Sequence, residues 1–238
     1  YAQILKPFLE GTAVTDLRAE GAVTVAAQLR QGEILALDIG LSGVSLEDQN
    51  RRFALFGVNG RVPWHRSEST RADLAIEGGE VFKLPFGPLK LPVEMQGLRF
   101  ALDKLEVPLL DGALIVKDFR TISGTSGWRW RFSGGIAPIS MTRFTHSLGL
   151  PTMHGTLSAV IPEVRYGRST LTVDGALVFN VFDGTVTAKN VNLIEPFGKA
   201  PRLQADLDMK NLDLDLLTRA FSFGNITGRI DAQVTDME

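Results

Sequence analysis

Three histidines, His65, His146 and His154, are the only imidazoles in the chain. None belongs to an HExxH pair on one helix face, and His146 and His154 are separated by a helix end and a turn, so solvated polar positions are expected rather than metal ligands. There is no G-x-S-x-G elbow, P-loop or strand-to-helix G-x-G-x-x-G, which removes the common motif-borne hydrolase, nucleotide and dinucleotide chemistries. Carboxylates cluster as Glu47-Asp48 and as Asp206, Asp208, Asp213 and Asp215. A paired-carboxylate glycosidase uses such groups, but Asp206 and Asp208 fall two apart on an alternating run and should share the solvated face of a strand. Trp128-Arg-Trp-Arg-Phe132 has the composition of a sugar or base platform; an aromatic core stripe, or arginines covering one face while aromatics fill the other, explains it as well. No catalytic residue, metal site or cofactor is therefore expected.

What remains to carry function is the pattern of the elements. Period-two alternation dominates the 238 residues. It runs through Leu17 to Leu29, Leu35 to Leu41, Leu98 to Leu102, Trp128 to Phe132, Leu171 to Phe179 and Leu203 to Met209. Asn59-Gly60, Glu77-Gly78-Gly79, Asp111-Gly112, Ser133-Gly134-Gly135, Asp183-Gly184 and Phe197-Gly198 read as turns between these runs, the Ser-Gly-Gly as a hairpin tip. Short sequential connections predict an antiparallel meander, without the crossover helices that parallel strands need. Lys83 to Val93 is apolar but carries Pro85, Pro88 and Pro92, each without a ladder donor, so it should be a sheet edge or an irregular loop, and about fourteen strands are expected in all.

Two helices are predicted, about 141–148 after Ser140 and about 214–222 after Asp213, with Asp215 and Arg219 in favourable i,i+4 order. A helical stub at Tyr1 to Leu9 is weakened by Pro7. The helices belong to a repeat: Ile139 to Ile161 lies without a gap over Leu212 to Val234. Each copy has a cap, an amphipathic helix, a breaker, and a glycine opening a strand (Gly155, Gly228). Such modular repetition favours an extendable β architecture. The division expected is a β segment over 1–137 and a second over 138–238 holding both repeats (139–161 and 212–234), or one continuous domain.

Composition narrows the partners. With 25 basic and 27 acidic residues the formal net charge is -2, which gives no electrostatic reason for nucleic acid binding. With no cysteine, disulfides and thiolate chemistry are excluded. No run reaches the ~18–20 apolar residues of a membrane span. The chain begins at Tyr1 and reads as a piece of a longer protein.

Each strand contributes an apolar stripe that two short helices are too small to roof. The sheet must either close on itself or curl into an open trough; an apolar trough left in water costs roughly 25 cal/mol per Å², so it implies an apolar ligand or partner. The positions expected to line it are Val23, Val25, Leu37, Ile39, Phe100, Leu102 and Ile115, then Leu171, Val173, Leu177, Phe179, Val186, Leu203 and Leu207. Because strand side chains alternate, a one-residue slip inverts such an assignment for a whole strand.

The C-terminal hundred residues carry distinctive words in order: Pro138-Ile-Ser-Met, Leu148-Gly-Leu-Pro, Gly155-Thr-Leu-Ser, Ile161-Pro-Glu-Val-Arg-Tyr166, Val173-Asp-Gly-Ala-Leu-Val178 and Val181-Phe-Asp-Gly-Thr-Val186. They continue with Glu195-Pro-Phe-Gly-Lys-Ala-Pro-Arg-Leu203, Leu212-Asp-Leu-Asp-Leu-Leu-Thr218 and Phe221-Ser-Phe-Gly-Asn-Ile-Thr-Gly-Arg229. In these words residues 138–238 resemble the YdbH-like proteins of Gram-negative bacteria, relatives of the AsmA and TamB group. The resemblance implies an elongated, strongly curved antiparallel sheet forming a taco-like hydrophobic groove. It further implies a periplasmic part of an inner-membrane-anchored protein that carries phospholipid between inner and outer membranes. It brings no catalytic residues. The family's older dicarboxylate-transport label finds no support in these residues. Phospholipid or another acyl-chain ligand is the expected partner, with membrane contact through parts outside this segment. A homodimer, or an envelope protein bound by sheet-edge pairing, is the alternative, and a carbohydrate-active β enzyme is the third reading.

Overall fold

The computed structural model describes residues 17–49, 52–124, 127–196, 198 and 200–237. The stub expected at Tyr1 to Leu9 lies outside them. The first ten strands are β1 (Leu17–Arg30), β2 (Glu33–Asp48), β3 (Phe53–His65), β4 (Thr70–Ile76), β5 (Gly78–Val81), β6 (Leu84–Phe86), β7 (Leu89–Gln96), β8 (Arg99–Leu109), β9 (Gly112–Gly124) and β10 (Gly127–Ser140). Helix α1 (Met141–Leu148) precedes β11 (Gly155–Gly167), β12 (Thr170–Val181), β13 (Gly184–Ile194) and β14 (Arg202–Asp213). Helix α2 (Leu214–Ala220) precedes β15 (Arg229–Met237).

All fifteen strands belong to one antiparallel sheet, an all-β meander with two short helices. The path runs in chain order from β1 to β15 except where β4 and β7 stand between β3 and β8, with β5 and β6 beside them. There β3 pairs with both β4 and β5, and β8 with both β6 and β7. Each couple is thus one long strand interrupted once. Among the described residues the ends of the path do not pair with each other, so the sheet is open, with β1 and β15 at its edges. The division at 137/138 falls inside β10.

Several expected turns lie elsewhere. Asn59-Gly60 sits inside β3, where the Asn59 amide accepts from Gly43 N–H at 2.8 Å and donates to Gly57 O at 2.9 Å. Ser133-Gly134-Gly135 sits inside β10, not at a hairpin tip. At Asp183-Gly184 the turn comes one residue early. Phe182 and Asp183 take φ of 50° and 53°, the pair of left-handed residues a type I′ turn needs. Gly184 already pairs with Val181 in the ladder, and a Cβ there would lie 2.5 Å from Lys210 O, so close approach rather than turn geometry requires the glycine. An aromatic in left-handed backbone is strained; Phe182 is held there by burial against Met141, Leu157, Val181 and Leu212.

Bulges cross the second half of the sheet from strand to strand. The registers shift at Arg131/Ser133, Val160/Glu163, Val173/Leu177, Lys189/Asn192 and Ala205/Leu207. Asp118, Gly175 and Asn190 adopt positive φ in the same band. A bulge bends its strand and increases local twist, and bulges aligned across neighbours bend the sheet along a line transverse to the strands.

The helix-then-strand repeat is reproduced in hydrogen bonds. Thr145 Oγ1 donates to Met141 O (2.9 Å) and accepts from Met153 N–H (3.4 Å). Thr218 Oγ1 donates to Leu214 O (2.7 Å) and accepts from Ile226 N–H (3.3 Å). Leu150 N–H and Phe223 N–H return to the carbonyls of these threonines, each at 2.9 Å. Asp213 caps α2 through Asp215 and Leu216 N–H, whereas the Ser140 side chain makes no cap bond on α1. Helix α2 stops at Ala220, short of the expected end near 222, and Arg219 pairs with Asp215 as anticipated (2.8 Å).

Candidate functional site, a continuous apolar sheet face

Directly opposed residues of antiparallel strands share a face, so the registers can be followed across the whole sheet. Val23 and Val25 oppose Leu41 and Ile39, and Leu37 opposes Trp64. Gly60 carries the same face to Leu74, and Leu74 to Leu91. Met95, on that face, opposes Phe100, and Leu102 opposes Phe119. Beyond β10 the rows become regular: Tyr166, Leu171, Leu193 and Leu203; Val164, Val173 and Val191; Leu157, Phe179, Val186 and Met209; Ala159, Leu177, Ala188 and Leu207.

All the predicted lining positions except Ile115 fall on this one face. Ile115 opposes Glu106 on β8 and Gly135 on β10, and Gly135 opposes the exposed Val160. It therefore lies on the other side. The reason is a paired irregularity: Leu102 and Leu105 are both inward although three apart, as are Phe119 and Val116 across from them. Period-two counting from Leu102 loses the face at that point. Trp64, Leu74, Leu91 and Val116 belong to the face and were not anticipated. Their signal is the identity of their cross-strand partners, which needs the register.

The other face is charged. It carries the pairs Arg61–Asp38, Arg71–Asp73 (3.2 Å), Arg120–Asp103 (2.7 Å), Arg131–Glu163 (3.6 Å) and Lys210–Asp208 (3.6 Å). The Arg61 side chain donates to Asp38 and holds that carboxyl below the usual carboxylate range, while Asp38 raises the guanidinium in return. The aspartates considered for glycosidase chemistry are engaged here too: Asp206 accepts from Asn190 at 2.5 Å and Asp208 meets Lys210. Among the described residues no group of His, Asp and Glu could hold a metal. His65 Nδ1 accepts from Glu68 N–H at 2.9 Å, a turn-bracing role.

Trp130 is not a bare platform. Its ring stacks with Phe132 and Tyr166, centroids 5.9 and 5.3 Å away, within the apolar face. The Trp128 side chain lies outside the described residues.

Among the described residues, helical cover over the apolar face is confined to one end. Helices α1 and α2 pack there through Met141, Phe144, Leu217 and Ala220 onto Leu157, Phe179, Val186 and Met209. Away from the helices the face packs against itself, which buries Met95, Leu102, Val164 and Val191, and toward the edges it opens to solvent: Val25 is 62% exposed on β1 and Leu203 46% on β14. Among the described residues no helix is long and apolar enough to cross a membrane. No family model, curated protein or solved structure matches this chain.

Proposed function

We propose that this chain is a non-enzymatic lipid-binding segment, its apolar face carrying acyl chains while head groups stay in water. The observation that carries the reading is a single apolar face that runs through every long strand and that, among the described residues, helices roof only at one end. Monomeric soluble proteins seldom expose contiguous apolar surface on that scale without an occupant. The resemblance of residues 138–238 to the YdbH-like proteins supports placing the segment in the periplasm, within an inner-membrane-anchored protein that passes phospholipid to the outer membrane. Photocrosslinkers at Val25, Leu37 and Leu177, against Ile115 and Val160 on the other face, test it. Lipid adducts are expected at the first three positions; adducts confined to Ile115 and Val160 sink the reading. The open edges at β1 and β15 favour a second role, pairing with a strand of an envelope partner or of a second copy. A stoichiometric protein partner co-purifying without lipid would select it.

A further inference from the structure

Between β7 and β8 the sheet is unzipped in its interior. Phe86 pairs with Leu109 on one side of the gap, and Glu94, Met95 and Gln96 pair with Ala101, Phe100 and Arg99 on the other. The register is the same at both ends, so nothing is inserted and the strands bow apart. A proline stands where one of the missing bonds would be. Gly97 and Leu98 form a two-residue turn, Gly97 at φ 55°, so Gln96 and Arg99 close it as a hydrogen-bonded pair. Every second residue back along the strand then aims its backbone at β8, which places Pro92 there without an N–H to give; by the far end the alternation has changed phase, since Gly87 N–H donates to Pro108 O (2.8 Å). Within Lys83 to Val93, expected as an edge or an irregular loop, Leu84 to Phe86 is instead a paired strand, and the stretch from Pro88 to Val93 is an edge facing into the sheet.

The gap opens into a cavity of about 630 Å³ lined by residues of both faces. Leu74 and Leu105 belong to the apolar face; Arg71, Asp73, Lys90, Lys104 and Glu106 belong to the charged one. Arg71 is taken up by Asp73. Lys90 and Lys104 have no carboxylate within ion-pair distance among the described residues, and they flank the outer mouth from opposite strands. Unpaired cations beside an apolar passage complement an anionic head group carrying an acyl chain.

We propose that this slit is an access route by which a lipid with an anionic head group reaches the apolar face. Lys90 and Lys104 hold the head group at the outer mouth, and the chain passes between Leu74 and Leu105. The proposal rests on the acyl-chain reading of the apolar face.

Two variants of the purified chain test it: a Lys90→Glu, Lys104→Glu pair and a Pro92→Val variant that returns the missing donor. The readouts are the uptake rate of fluorescent phosphatidylglycerol or phosphatidylcholine from vesicles, and the lipid bound at equilibrium. The lysine variant should take up phosphatidylglycerol roughly 30-fold more slowly, with phosphatidylcholine unaffected. The proline variant should slow both lipids at unchanged equilibrium load and gain amide protection at residue 92. Unchanged phosphatidylglycerol uptake in the lysine variant overturns the slit proposal and leaves the apolar-face reading standing. No uptake of either lipid by the unaltered chain overturns both.

Discussion

At the scale of single residues, the strongest polar commitment is Asp48. Its carboxylate is buried at the end of β2 and takes two guanidinium bonds from Arg52 (2.7 and 2.8 Å) plus the Arg52 N–H (3.0 Å). Removing one partner of a buried pair strands the other charge, so Asp48→Ala should cost about 3 kcal/mol in urea unfolding; a loss near zero would mean that Arg52 finds water instead. Asp38 poses a different test because its pair with Arg61 is exposed. A carboxyl that ionises more readily in the folded state adds stability at pH above its unfolded value, and that increment is lost as pH falls through the lowered folded value. Asp38→Asn should therefore flatten the acid limb of the stability–pH curve and change neutral stability little. Superimposable acid limbs for the two proteins would refute it. The sequence marked Asp48 only as half of an acidic pair with Glu47 and Asp38 not at all: an Asp two positions past Leu46, on the inward side, reads like any strand terminus until Arg52 is seen folded back on it.

At the scale of elements, the twin helix-loop units give a matched pair of experiments. Thr145→Val leaves the Met153 N–H without its side-chain partner at a fully buried position beneath α1 and should cost about 2 kcal/mol. Thr218→Val should cost less, because Ile226, whose N–H it serves, is 53% exposed; equal losses would show that the bond to the helix carbonyl dominates in both. Gly175 tests the bulge band. Its φ is 135°, and a Cβ at this position would lie only 2.6 Å from Pro162 Cδ, so Gly175→Ala should destabilise by more than about 1 kcal/mol. Both helices and their repeat were legible because caps and 3.6-residue periodicity are local signals. Turn positions were less so, since Asp111-Gly112 and Asp183-Gly184 obey a close approach by a distant strand, which no local pattern encodes. Along β8 and β9 the face was lost because both strands depart from strict alternation at the same level, so their register holds while the period-two count fails, and nothing in composition marks the place.

At the scale of the whole molecule, the open path from β1 to β15 is thirteen strands wide, about 58 Å along the sheet at 4.8 Å per spacing. Its radius of gyration by solution scattering should exceed the roughly 18 Å of a compact chain this long; the compact value in a monomer would mean that the two edges meet. The rows of like residues across β11 to β14 have a further consequence. Leu171, Leu193 and Leu203 stand side by side, as do Leu177, Ala188 and Leu207. A hydrocarbon chain displaced by one strand spacing would meet nearly the surface it left, so the energy profile across the strands has shallow wells and no intrinsic slope. Such a surface behaves as a low-friction track: it permits motion both ways at similar speed, and any net direction must be imposed by what loads one end and unloads the other.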